Sequence, residues 1–209
     1  MTKVIAGDCV VRSERVDALL PDDAAFAAEY TRLPAWRRGR CDAFRFPADK
    51  RRSVAAWMLL RNILTERGEE ADGLEVVENE AGKPAFTSRP DLQFNLSHAA
   101  GRVMAVVASV PVGCDVEEVA PLREGVAEAC LTPGELVRLA AESEGPSRDR
   151  AFCAMWVRKE SYVKACGSGL STDLKSFSVL PGEEPSGAEF EDFDFGDGHL
   201  GCVCLLPGV

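Results

Sequence analysis

The chain has 209 residues, 46% hydrophobic and 28% charged, with a formal net charge of −10. That composition fits a soluble globular protein of one large domain or two small ones. No apolar run approaches the roughly 20 residues needed to cross a bilayer, and "MTKVIAGDCVVRSERV" lacks the basic start, apolar stretch and small-residue site of a signal peptide, so the expected location is the cytoplasm and no membrane partner is expected. The acidic balance argues against a nucleic-acid surface. Eight cysteines with no CxxC pair argue against a disulfide framework or zinc ribbon, and for free, mostly buried thiols.

In chain order, alternation predicts a strand over residues 3–11. Helical periodicity follows at 22–32, 34–44 and 49–67, the last with Val54, Trp57, Met58, Leu60, Ile63 and Leu64 on one stripe that stops at Gly68. "LEVVENEAGKPAF" reads as strand, turn, strand, with Gly82 and Pro84 at the turn. "LQFNLSHAAGRVMAVVASVPVGCDVEEV" reads as three strands joined at residues 99–101 and near Pro111. Helices are expected again at 123–141 and 148–166, then strands near 175–180, 188–195 and 199–206. Helices followed by strands, twice, predict an α+β fold of two similar halves, residues 1–109 and 110–209, although no sequence repeat links them.

Charge is unevenly placed. Residues 181–198 hold seven acids and no base, while residues 32–67 hold ten bases against three acids, an excess of +7 that could meet an anion or form a solvated helical face.

In "PVGCDVEEVA", Asp115 and Glu117 are two apart on a strand and share a face, about 7 Å apart, while Cys114, Val116 and Glu118 face the other way. An oxygen-only pair suits a hard cation such as Mg²⁺; a strand end fraying into solvent is the plainer alternative. In "AFCAMWVRKESYVKACGSGL" an amphipathic helix ends where Gly167 permits a C-cap, and Glu160 and Lys164 are four apart, either a surface pair or a third carboxylate and a cation for the same site. Ser97 and His98 close an apolar strand at a tight turn, and Lys83 lies in the "AGKP" turn; each could equally be structural.

Taken together, and in this order, GKP, F-N-x-S-H, G-x-D-x-E and W-x-x-K-E-S-x-x-K-x-x-G-x-G-L over residues 35–180 resemble the single-chain 4′-phosphopantetheinyl transferases of the surfactin-synthetase-activating type. The resemblance implies the pseudo-twofold fold of that family and transfer of the phosphopantetheine arm of coenzyme A to a serine of an apo acyl or peptidyl carrier protein, with release of 3′,5′-ADP. It implies Mg²⁺, or Mn²⁺ in its place, held by Asp115, Glu117 and Glu160, with Lys164 stabilising charge at the phosphates. It assigns Arg37, Arg40, Arg52, Ser53, Lys83, Ser97, His98 and Lys164 to coenzyme A. Glu160, Lys164 and Glu135 become the catalytic set. Glu135 would be the general base, although "TPGE" is also a helix capping box led by Thr132. A monomer is expected. Two departures stand out: Cys114 replaces a branched aliphatic residue, and Ser168 occupies a position that often holds lysine. The competing activities are a Mg²⁺-dependent nucleotide pyrophosphate hydrolase and a non-catalytic relative that binds carrier proteins.

Overall fold

The computed structural model describes residues 1–4 and 8–208. The expected first strand is two, β1 (Thr2–Val4) and β2 (Val10–Arg15), paired antiparallel with Thr2 opposite Arg12; the part of that expectation at residues 5–7 lies outside the described residues. Short α1 (Val16–Leu19) leads to α2 (Asp23–Thr31), α3 (Ala35–Ala43) and α4 (Pro47–Glu66). Asp22 caps α2 by accepting the Ala25 N–H, and Pro47 starts α4 where its missing N–H costs nothing. Along α4, Val54, Trp57, Leu60, Ile63 and Leu64 are fully buried. Each such side chain contributes about 1.5–3 kcal/mol relative to exposure, so this stripe anchors the first core.

A two-stranded hairpin, β3 (Val76–Glu78) and β4 (Pro84–Phe86), follows. Next come β5 (Gln93–Ala99), β6 (Arg102–Ala108) and β7 (Val112–Glu118), as the turn chemistry predicts. The first sheet has the order β1-β2-β6-β5, all antiparallel, and packs against α4. β7 begins a second sheet, β7-β9-β8, with β8 (Glu189–Asp194) and β9 (His199–Leu205). The long helix α7 (Pro146–Cys166) lies on β7 and β9.

Two expectations for the second half fail. The helix foreseen at 123–141 is split into α5 (Val126–Cys130) and α6 (Pro133–Ala140), because Leu131 is extended and Thr132 starts α6 anew as its N-cap. The strand foreseen near 175–180 is a 3₁₀ turn at Leu174–Ser176 followed by irregular chain. That segment has its backbone groups met by side chains instead of a ladder: Lys159 donates to the carbonyls of Leu174 and Phe177, and Glu135 accepts the Val179 N–H. All eight cysteines are free thiols, and only Cys166 is exposed. Cys202 and Cys204 have no exposure, so the CxC of β9 is core packing.

Candidate functional site

The two sheets meet where β7 runs beside β5. No backbone ladder joins these strands; the side chains of β5 serve the edge of β7 instead. Asn95 Oδ1 accepts the Cys114 N–H at 3.0 Å, and Ser97 Oγ accepts the Val116 N–H at 3.3 Å while donating to Asp115 Oδ1 at 2.8 Å. A hydroxyl can do both because it carries one donor and two lone pairs. Asn95 stands in the F-N-x-S-H motif, which by itself gives it no role. Its signal was a second polar residue two before Ser97, hence on the same face of an apolar strand.

Asp115 is 3% exposed, and its Oδ1 is ion-paired with Lys164, which also reaches Ser97 Oγ at 3.3 Å. Its Oδ2 is buried with no partner among the described residues. Burial opposes the charge on Lys164, but the Asp115 carboxylate beside it holds its pKa above the ordinary lysine value. Glu117 is pushed up to about 7, first by burial and then by the charge on Asp115. Burial, with Asp115 adding to it, also raises Glu160. Three carboxylates, with the Asp115 charge raising the pKa of the other two and one cation among them, leave a net negative charge that favours a further positive one.

The approach of α7 to β7 depends on Gly113. A Cβ there would lie 2.1 Å from the Ser161 carbonyl and 2.4 Å from Ala165 N, so only a residue without a side chain lets the strand touch the helix backbone. Alternation puts Gly113 and Asp115 on the same face, toward α7.

His98, next to Ser97, is half-buried, and its ring meets Phe44 edge-on. Burial, then the cations Arg52 and Arg37, push it down to about 4, so it is a neutral imidazole at pH 7. Of the other expected contacts, Arg37 is buried and donates to the Ser53 carbonyl at 3.1 Å, with its Nε unpaired. Ser53 Oγ is likewise buried and unpaired. Arg52 donates to the Ala100 carbonyl at 3.0 Å and pairs with Asp49.

Three assigned residues stand apart from this cluster. Arg40 pairs with Glu78 at the surface. Lys83 donates to the carbonyls of Val112 and Ala165, at 3.1 and 2.9 Å, so its ammonium is engaged by the protein. Glu135 has no exposure, and both oxygens are taken. Oε2 accepts the Thr132 N–H at 2.7 Å and pairs with Lys159 at 2.9 Å, and Oε1 accepts the Val179 N–H at 2.8 Å. The capping box is complete, since Thr132 Oγ1 accepts the Glu135 N–H. In this arrangement Glu135 serves as helix cap and buried counter-charge, with no solvent access at its carboxylate. Lys159, which completes this arrangement, lies in the W-x-x-K-E-S motif, whose spacing alone gives it no partner.

Among the described residues no three acidic, histidine or cysteine side chains are gathered into a preformed metal cluster. The donor set is nevertheless of the right kind: oxygen only, one orphaned buried carboxylate oxygen, and two neighbours with raised pKa values.

Two antiparallel sheets, each with a long helix upon it, and carboxylates, Lys164 and His98 at their junction define a mixed α/β protein. Residues 111–201 match the model of the 4′-phosphopantetheinyl transferase superfamily. The chain is 33% identical to a "Phosphopantetheinyl transferase" of Thraustochytrium over 86% of its own length and 68% of the relative's. It is 33% identical to a "4′-phosphopantetheinyl transferase" of Bacillus subtilis over 70% of this chain and 66% of that one. A third match, "4′-phosphopantetheinyl transferase Sfp" of Bacillus subtilis strain 168, is 31% identical over 68% of this chain and 64% of the relative. The chain thus spans just under two thirds of the Bacillus relatives, and it belongs to the 4′-phosphopantetheinyl transferase superfamily. No helix among the described residues is long and apolar enough to cross a membrane.

Proposed function

We propose that this chain transfers the 4′-phosphopantetheine arm of coenzyme A to a serine of an apo acyl or peptidyl carrier protein: the serine oxygen bonds to the β-phosphorus, the pyrophosphate bond breaks, and 3′,5′-ADP leaves. The observation that carries this reading is the junction of β5 and β7, where Ser97, beside His98, and Lys164 both bond Asp115, whose other oxygen is buried without a partner, while Arg52 donates to Ala100 at the end of the same turn. A pyrophosphate with a divalent cation satisfies the carboxylates and the cations at once.

Asp115, Glu117 and Glu160 would hold Mg²⁺ or Mn²⁺, which when bound neutralises charge on the pyrophosphate oxygens. Lys164, already in the cluster, offers its ammonium to the same oxygens and exchanges part of its bond to Asp115 for them. His98, neutral, donates one ring N–H, and Arg52, Arg37 and Ser53 extend the donor set toward the far phosphate. Ser97 orients Asp115 through its 2.8 Å hydrogen bond. The serine proton passes to a water at the cluster, and Glu135, whose oxygens are bonded to Thr132, Lys159 and Val179, is read as structural.

The same reading divides the chain into two pseudo-twofold halves, residues 1–109 and 110–209. Its support is that each contains an antiparallel sheet with one long helix upon it, α4 of 20 residues and α7 of 21. A cytoplasmic monomer acting on soluble carrier proteins completes the proposal.

The test is one incubation of the chain with coenzyme A, Mg²⁺ and an apo carrier protein, followed by intact mass. A phosphopantetheine mass gain on the carrier is expected. Nucleotide release without that gain would mean hydrolysis, and complex formation alone would mean a binding protein.

A further inference from the structure

The motifs AGKP and CGSGL, far apart in sequence, are packed on each other. Gly167, the left-handed C-cap of α7, would place a Cβ 3.0 Å from Asn79 Nδ2 and 3.1 Å from Lys83 Cδ, and a Cβ on Gly169 would lie 3.1 Å from that of Ala81. Asn79 shapes the turn: its Oδ1 accepts the N–H groups of Ala81 and Lys83, at 3.0 and 2.8 Å, and its Nδ2 donates outward to the Gly167 carbonyl at 2.8 Å. The turn thereby aims Lys83 between two elements. The ammonium donates to Val112 O at the start of β7 and to Ala165 O in the last turn of α7.

Both acceptors are suited to a cation. Ala165 O is one of the last four helix carbonyls, which no intrahelical N–H reaches, and it lies at the negative end of the helix dipole. Burial pushes Lys83 down to about 8, the cost of bringing a charge to this seam. The other end of the hairpin is fixed independently by Phe86, whose ring packs 4.5 Å from that of Phe94 in the first core.

Val112 is three residues before Asp115, and Ala165 follows Lys164 directly. We propose that Lys83 is a positioning residue: it staples β7 to α7 beside the acid cluster, so that Asp115 and Glu117 on one element keep their separation from Glu160 and Lys164 on the other. The strand and helix already touch at Gly113, and the staple fixes the angle about that contact. This rests on the reading of the cluster as a metal and pyrophosphate site, and it replaces direct contact of Lys83 with coenzyme A.

The test compares Lys83→Met, Lys83→Arg and Asn79→Ala with wild type in the full chain. The measurements are Mn²⁺ binding by titration calorimetry without coenzyme A, steady-state kinetics, and metal-free amide exchange over residues 76–86 and 112–118. Lys83→Met is expected to weaken Mn²⁺ binding by about tenfold or more, the scale seen when a support behind a ligand is removed. It should also lower kcat while shifting the KM for coenzyme A less than about threefold. Lys83→Arg, which can still fork two bonds to carbonyls, should recover most of the loss. Unchanged Mn²⁺ affinity in Lys83→Met, or a raised KM with normal kcat, overturns the staple and returns Lys83 to coenzyme A. If Lys83→Met does not fold, Asn79→Ala is read by the same criteria. If wild type itself binds no Mn²⁺, the metal reading falls, and amide exchange decides the staple: faster exchange by about tenfold in Lys83→Met sustains it, and unchanged exchange refutes it.

Discussion

Helix α7 carries two lysine–carboxylate pairs little more than one turn apart, and they are built in opposite ways. Lys159 and Glu135 are both 0% exposed, and every polar atom has a partner: two carbonyls and the Phe177 ring for the lysine, two backbone N–H groups for the glutamate. Lys164 and Asp115 are 29% and 4% exposed at the side chain, with an orphaned oxygen on the aspartate and two more carboxylates beside it. A closed pair fixes structure because nothing remains to bind. An open pair is held in an unfinished state, which a ligand can complete. Charge and burial are therefore poor guides to function until the satisfaction of each oxygen is counted.

The largest expected effect breaks the closed pair. Glu135→Gln removes the anion and leaves Lys159 buried and unpaired, so it should cost about 3–5 kcal/mol in urea unfolding. A variant as stable as wild type would show that Lys159 has another counter-charge. Turnover lower by about 10² or more with stability intact would instead make Glu135 the general base.

The open pair should respond in reverse. Asp115→Asn is expected to lower kcat by about 10² to 10³ while changing unfolding free energy by less than about 1 kcal/mol, since Lys164 can turn to solvent and like-charge repulsion is relieved. Near-normal turnover at saturating Mg²⁺ would remove Asp115 from the site.

A smaller effect sharpens the electrostatics of the open side. His98 titrates near 4 in the fold, pushed down by burial and by Arg52 and Arg37, against 6.5 in the unfolded chain. Between those values the unfolded chain binds more protons, so this group makes stability rise with pH and fall as the medium is acidified from 6.5 toward 4. Glu117, raised from 4.5 to about 7, acts with the opposite sign over an overlapping range, so the measurement is the difference between wild type and His98→Gln. The variant should lack the His98 slope; parallel curves would mean that the imidazole is solvated in the fold.

The smallest change trims the frame of the closed pair. Thr132→Ala removes the N-cap of α6 and should cost about 1 kcal/mol, with transfer activity retained. A loss of several kcal/mol would mean that the cap also holds Glu135 in register with Lys159.

Much of this was written along the chain. Strands β5 to β7 and helices α4 and α7 follow from period and punctuation, because alternation, an apolar stripe and a glycine stop are local properties. The capping box at Thr132 and the same-face placement of Asp115 and Glu117 are local too. So are the motif residues Ser97, His98, Glu160 and Lys164, whose order along the chain carries the family resemblance.

What the tertiary structure alone decided were the partners. That Glu135 pairs with Lys159, that Lys83 reaches the carbonyls of Val112 and Ala165, and that residues 175–180 are irregular all depend on contacts across 15 to 82 positions of chain. A polar side chain's type states what it can bond, while its burial and its neighbours determine which bonds are left over for a ligand. Those are properties of the packed interior, and no window of sequence contains them.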